Sequence, residues 1–248
     1  VARERRAWAE SLPPVAPPEG PLPPPFAAIF EGVAGAVIAE VKPVSPAAGE
    51  LLGGRDPLAI AASFAGAGAK ALSVLTEAGS FGGSFDLLDR IVRETSCPVL
   101  AKDVVVHEVQ MRLARNAGAS AVLLIADLLA EAELTRLAAL ARSLGMEPVV
   151  EVHDQRFVPR VEAAQPRVVA VNARDLRTLA MERESHVRLI DSLPGGVIPV
   201  AASGIESPEE ICALAALGYR GFLIGTALMC APDPEGLLRG LVAAAEGR

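Results

Sequence analysis

Eight short runs of small and β-branched apolar residues recur along this chain, each followed by a segment rich in alanine and leucine with helical spacing. They read "AVIAEVK", "ALSVLTE", "PVLAKDV", "SAVLLIA", "EPVVEVH", "VVAVNAR", "IPVAASG" and "GFLIGTA". Runs this apolar have no solvent face, so each must be covered on both sides, and strands of that kind belong to parallel sheets wrapped by helices. Parallel strands need a crossover, and eight of them allow the sheet to close, which predicts a TIM (β/α)8 barrel in the α/β class. An open doubly wound sheet competes, but it would leave edge strands, and none of the eight reads as a polar strand suited to an edge. Between the strands, "HEVQMRLARNAG" and "AELTRLAALARSLG" each close on a glycine suited to a helix C-terminus.

A length of 248 residues suits one barrel domain, and 51% hydrophobic with 21% charged residues leaves no case for global disorder. Ahead of the barrel, "ARERRAWAESL" is expected to form a short helix, and prolines from Pro13 to Pro25 bar helix or sheet there. The expected organisation is therefore a helix and proline-rich arm over 1–25 and the barrel over 26–248. A formal net charge of -7 offers no basic field to nucleic acid or anionic lipid. A phosphorylated small molecule would have to be met by local cations. Cys97, Cys212 and Cys230 form no CxxC, so neither a disulfide framework nor a metal site is expected. No apolar run reaches the roughly 20 residues of a membrane span and no signal peptide leads the chain, so a cytoplasmic location is the default, with the start at Val1 suggesting a trimmed N-terminus.

In such barrels the working face lies at the strand C-termini. Collected there are Glu40 and Lys42, Glu77, Lys102 with Asp103, Glu151, Asn172 with Arg174, Ser203 with Gly204, and Gly225 with Thr226. The ends of the last two strands place glycine and a hydroxyl residue just before a helix, a phosphate site more than a plain turn. Lys102, beside Lys42 and partly desolvated, is expected to have its charged form disfavoured, and Glu151 to be pushed toward a useful base. The alternative is a pair of structural ion pairs, Lys102 with Glu151 and Glu40 with Lys42, although several buried pairs at one mouth favour function. His107 and His186 are expected on solvent-facing helix positions, His153 beside a strand end without a metal-ligand neighbour, and Arg5 on a solvated helix face. Trp8 either packs the N-terminal helix on the barrel or helps to cover the site.

The motifs "IAEVKPVSP", "LSVLTEAGSFGGS", "PVLAKDVVV", "PVVEVHD", "VNARDLRTL", "ASGIESPEE" and "FLIGTALM", in this order from Ile38 to Met229, resemble the indole-3-glycerol phosphate synthase family of tryptophan biosynthesis. The resemblance implies a TIM barrel with an N-terminal segment over the site. It implies ring closure of 1-(2-carboxyphenylamino)-1-deoxyribulose 5-phosphate with loss of carbon dioxide and water, by a monomer or weak homodimer without metal or organic cofactor. Carried over, Lys102 is the general acid, Glu151 the general base, and Lys42 the partner of the substrate carboxylate and a proton source in dehydration. Glu40 and Asn172 orient these groups and the sugar hydroxyls. Arg174 holds the anionic end, Ser45 and Ser203 give polar contacts, and Gly204, Gly225 and Thr226 cradle phosphate. Phe81, Leu123, Leu176 and Ile224 line the aromatic pocket. The chain departs from the family's pattern at Val104, where an aromatic residue is usual, at Ala202, where an acid is usual, and at Val44, where a base is usual. These departures keep open a paralogue acting on a modified aromatic substrate, or a phosphate-ligand binding protein without catalysis. A lyase using Lys102 as a Schiff base is a further chemical option.

Overall fold

A computed structural model describes residues 1–18, 20–174 and 180–247. The eight expected strands all form: β1 (Ala36–Val41), β4 (Ala71–Leu75), β5 (Val99–Lys102), β6 (Ala121–Ile125), β7 (Glu147–Val152), β8 (Val168–Asn172), β9 (Ile198–Ala202) and β10 (Gly221–Ile224). All pair in parallel, and the pairing of β1 with both β4 and β10 closes the barrel, so the open-sheet alternative is excluded. Two strands that the sequence pattern did not reveal, β2 (Val44–Ser45) and β3 (Gly49–Glu50), form an antiparallel hairpin in the loop after β1.

Strand alternation sorts the side chains into two layers. On β1, Val37, Ala39 and Val41 pack outward against the helices, while Ala36 and Ile38 pack inward with Leu100, Leu123, Val149, Ala170, Val200 and Leu223. The inward parity carries on to the strand ends, which sends Glu40, Lys102, Glu151 and Asn172 into the mouth of the barrel. The opposite end is plugged by a 3-10 turn, Phe26–Phe30, whose Phe26, Ala27, Ile29 and Phe30 join the inner cluster. The helices α5 (Glu108–Asn116) and α6 (Glu131–Ser143) end as their sequences suggested, on Gly118 and Gly145. Among the described residues no helix is long and apolar enough to cross a membrane.

The N-terminal helix α1 (Ala2–Ser11) docks at the mouth, and its Arg5 does not lie on a solvated face. Arg5 is buried in a bidentate pair with Asp103, which also accepts from the Thr76 hydroxyl and the Val104 amide. Trp8 stacks on Phe85 and lies under the Arg5 guanidinium, so it packs the helix onto the barrel. The arm then runs down the outside, where Arg115 donates to the Pro21 carbonyl and Asn116 to that of Ala16. Arg5→Ala leaves Asp103 buried without its cation, and a loss of about 3 kcal/mol is expected. A denaturant titration reads this as a lower midpoint, and an unchanged midpoint would show that the pair does not secure α1.

His186 also departs from its expected place. It is buried on α8 (Glu184–Ile190), where Nε2 lies 3.2 Å from the Ala202 carbonyl and the ring meets Tyr219 edge to face. Burial pulls its pKa below the usual histidine value, outweighing its backbone contacts. His107 caps α5, its Nδ1 accepting from the Val109 amide at 3.2 Å.

Candidate active site

The mouth of the barrel encloses a cavity of about 600 Å³. Glu40, Lys42, Lys102, Glu151 and Asn172 line it, and so do Ser45, Arg174, Ser203, Gly204, Gly225 and Thr226. Phe81, Leu123 and Ile224 supply apolar wall. Of the expected site residues only Leu176 is not placed, because it lies outside the described residues. Val104 and Ala202 line the cavity as well.

Glu40 is the electrostatic centre. Its Oε1 is 3.1 Å from the Lys42 ammonium and its Oε2 is 4.0 Å from that of Lys102, with the Ser73 hydroxyl donating to Oε2 at 3.4 Å. Burial pushes the Glu40 pKa up, but the two lysines outweigh it and hold the carboxyl below its ordinary value. The ion pair expected between Glu40 and Lys42 is therefore present, but Lys102 turns to Glu40 as well. Lys42 also donates to the Thr226 hydroxyl at 2.9 Å, which ties the end of β1 to the start of α10 (Thr226–Cys230).

Lys102 corrects an expectation. Burial does disfavour its charge, but Glu40, Glu151 and Asp103 outweigh burial and raise its pKa above the ordinary lysine value. It stands in the resting site as an ammonium among carboxylates, not as a depleted cation.

Two backbone features shape the ends of β9 and β10. Ser203, φ 67°, and Gly204, φ 76°, both lie in the left-handed region, which a serine adopts only when its surroundings impose it. At Gly225 a Cβ would stand 2.4 Å from Glu40 Oε1, so glycine is required for the close approach of β10 to the carboxylate. Phe81 is aimed by a cap: Glu77, at the N-terminus of α3 (Ala78–Phe81), accepts from the amides of Gly79, Ser80 and Phe81.

One grouping was missed from sequence. His153 Nε2 lies 3.3 Å from Glu151 Oε1, and His153 Nδ1 lies 3.5 Å from Asp127 Oδ2. The signal for its first half was the nearness of His153 to Glu151, two residues on and just past the end of β7. Among the described residues no group of three or more His, Cys, Asp or Glu is placed to hold a metal ion.

The family profile described as indole-3-glycerol phosphate synthase matches residues 27–241. The chain belongs to the indole-3-glycerol phosphate synthase family. An indole-3-glycerol phosphate synthase of Nocardioides sp. is 41% identical over 225 residues, 91% of this chain and 85% of that protein. One of Carboxydothermus hydrogenoformans is 43% identical over 208 residues, 84% and 79% of the two chains. Among solved structures, a 3-hexulose-6-phosphate synthase of Salmonella typhimurium superposes with a TM-score of 0.69 over 85% of this chain and 98% of that one. At 17% identity that likeness shows the barrel fold and nothing further. Family membership thus agrees with the fold and with the resemblance carried by the strand-end motifs.

Proposed function

We propose that this member of the indole-3-glycerol phosphate synthase family converts 1-(2-carboxyphenylamino)-1-deoxyribulose 5-phosphate to indole-3-glycerol phosphate, acting in the cytoplasm as a carboxy-lyase. The observation that carries the reading is the placement of two ammoniums around Glu40, with Glu151 in the same cavity and an apolar wall beside them. The cavity has the size of ordinary small-molecule sites and combines apolar lining with a few convergent polar groups.

The proton bookkeeping fits these groups. Turning the substrate carbonyl oxygen into water takes two protons, and aromatisation of the new ring gives one back. Lys102 donates to the carbonyl oxygen as the ring carbon attacks, and decarboxylation restores the aromatic ring. Lys42 pairs with the substrate carboxylate and supplies the second proton as the hydroxyl leaves. Glu151 takes the proton released on aromatisation. Glu40 holds the two lysines at their stations, and Asn172 orients the sugar hydroxyls with it. Arg174 holds the anionic end, Ser45 and Ser203 add polar contacts, and Gly204, Gly225 and Thr226 receive the phosphate. Phe81, Leu123 and Ile224 flank the aromatic ring, and Leu176 is assigned to the same wall on the resemblance alone.

Purified protein incubated with the carboxyphenylamino-deoxyribulose phosphate is expected to release carbon dioxide and develop indole fluorescence. Folded protein that binds the substrate and leaves it unchanged would overturn the reading in favour of a non-catalytic binder.

A further inference from the structure

His153 stands in the wall between two cavities. Glu151 lines the 600 Å³ cavity of the barrel mouth, and His153 does not. His153 lines a second, polar cavity of about 460 Å³, with Asp127, Asp154, Arg156, Glu182 and Arg188. The Arg156 and Arg188 side chains are 72% and 62% exposed, so this second cavity opens to solvent. The His153 and Glu151 side chains are 7% and 2% exposed. Between them the imidazole bridges two carboxylates, Nε2 at 3.3 Å from Glu151 and Nδ1 at 3.5 Å from Asp127, and Asp127 also accepts from the His153 amide at 3.2 Å. The ring contacts are short but not angled as hydrogen bonds, and both ring nitrogens and Glu151 Oε2 are left without a hydrogen-bond partner among the described residues.

On the function proposed above, Glu151 gains a proton in every turnover while substrate or product fills its own cavity. His153, 3.3 Å from Glu151 and lining the other cavity, offers that proton a route that does not cross the bound substrate. We infer that His153 and Asp127 form this route, passing the proton from Glu151 to solvent through the second cavity. In the resting site Nδ1–H faces Asp127 and the Nε2 lone pair faces Glu151. The Glu151 carboxyl turns to bring its O–H to Nε2, and that O–H bond breaks as Nε2–H forms, giving an imidazolium between two carboxylates. The imidazolium, held by Asp127 at Nδ1–H, then turns toward the second cavity, where the Nε2–H bond breaks as water takes the proton, and the ring turns back with Nδ1–H unchanged, so the starting tautomer is restored. The surrounding charges suit this acceptor. Burial pulls the His153 pKa down and the Lys102 ammonium adds to that, but Asp127 and Glu151 outweigh both and raise it above the ordinary value. The other charged groups of the second cavity, Asp154, Arg156, Glu182 and Arg188, pair among themselves in part: Arg156 with Asp154, and Arg188 with Glu182.

His153→Gln keeps a polar group near Glu151 but cannot relay a proton. It is expected to lower kcat by roughly tenfold or more with KM little changed, and added imidazole should restore part of the rate through the second cavity. Asp127→Asn should show a smaller loss in kcat, and it carries the test if His153→Gln does not fold. Nuclear magnetic resonance titration of the three histidines gives a readout independent of turnover. The His153 midpoint should fall in both Asp127→Asn and Glu151→Gln. Wild-type protein that turns over nothing would sink the proposed function, whereas an unmoved His153 midpoint would sink the relay alone. A His153→Gln enzyme with wild-type kcat, or one whose loss imidazole leaves untouched, would equally overturn it.

Discussion

Lys102→Ala is expected to lower kcat by roughly 100-fold or more while leaving substrate binding comparatively intact, because general acid catalysis contributes on the order of 10²–10⁴-fold and acts in the transition state. The geometry gives the reason for the split. The Lys102 ammonium is 4.0 Å from Glu40, which keeps its closer partner Lys42 at 3.1 Å when Lys102 is removed. The ground-state site therefore stays organised, and only the donor to the carbonyl oxygen is missing. Lys42→Ala should behave differently, raising KM as well as lowering kcat, since it removes a partner of the substrate carboxylate in both states and releases the Thr226 hydroxyl. Steady-state kinetics with equilibrium binding on both variants decides the matter, and a Lys102→Ala enzyme with near-normal kcat would remove Lys102 from the acid role.

The charge state of Lys102 bears on pH as well. Its pKa is raised in the fold, so the ammonium persists through neutrality and the alkaline fall in activity should not begin near pH 7. The sign for stability follows from linkage. A cation whose folded pKa lies above its unfolded value of about 10.4 stabilises the fold fully below that value and ceases to do so as pH rises through the folded pKa. Lys102→Met should abolish this alkaline component of the stability profile.

The barrel was legible because two local signals agree. The strands are apolar on both faces, which demands a covered parallel sheet, and none is suited to an edge, which demands closure. The site was legible for the same kind of reason: alternation along a strand is strict, so an inward Ile38 fixes an inward Glu40, and an inward Val149 fixes an inward Glu151. What sequence did not disclose depends on contacts between distant segments. "RERR" on a short helix has the pattern of a solvated face, and only the docking of α1 against Asp103, 98 residues away, buries Arg5. His186 owes its burial to Tyr219 and the end of β9, neither of them near it in sequence. The raised pKa of Lys102 is a sum over carboxylates from three strand ends, of which Asp103 alone is a neighbour in the chain. Asp127 lies 26 residues before His153, so the bridge from Glu151 through His153 to Asp127 had no local pattern to betray it.

Glu151→Gln should produce a loss comparable with that at Lys102, for the opposite reason. The amide has almost the shape of the carboxylate, so packing at the end of β7 and the volume of the cavity are preserved, yet it cannot take a proton from the substrate. Glu151 Oε2, buried and without a hydrogen-bond partner among the described residues, is the oxygen left available for that proton, since Oε1 faces His153. A fall in kcat of roughly 100-fold or more with substrate affinity held within about threefold is the expected result. The comparison with His153→Gln then separates the base from the route by which it is emptied. Removing the base removes the proton-transfer step itself, and added imidazole in the second cavity cannot reach the substrate carbon, so Glu151→Gln should lose more and recover nothing. A Glu151→Gln enzyme that retains kcat within a few-fold of wild type, or that imidazole restores, would show that the aromatisation proton leaves by another group.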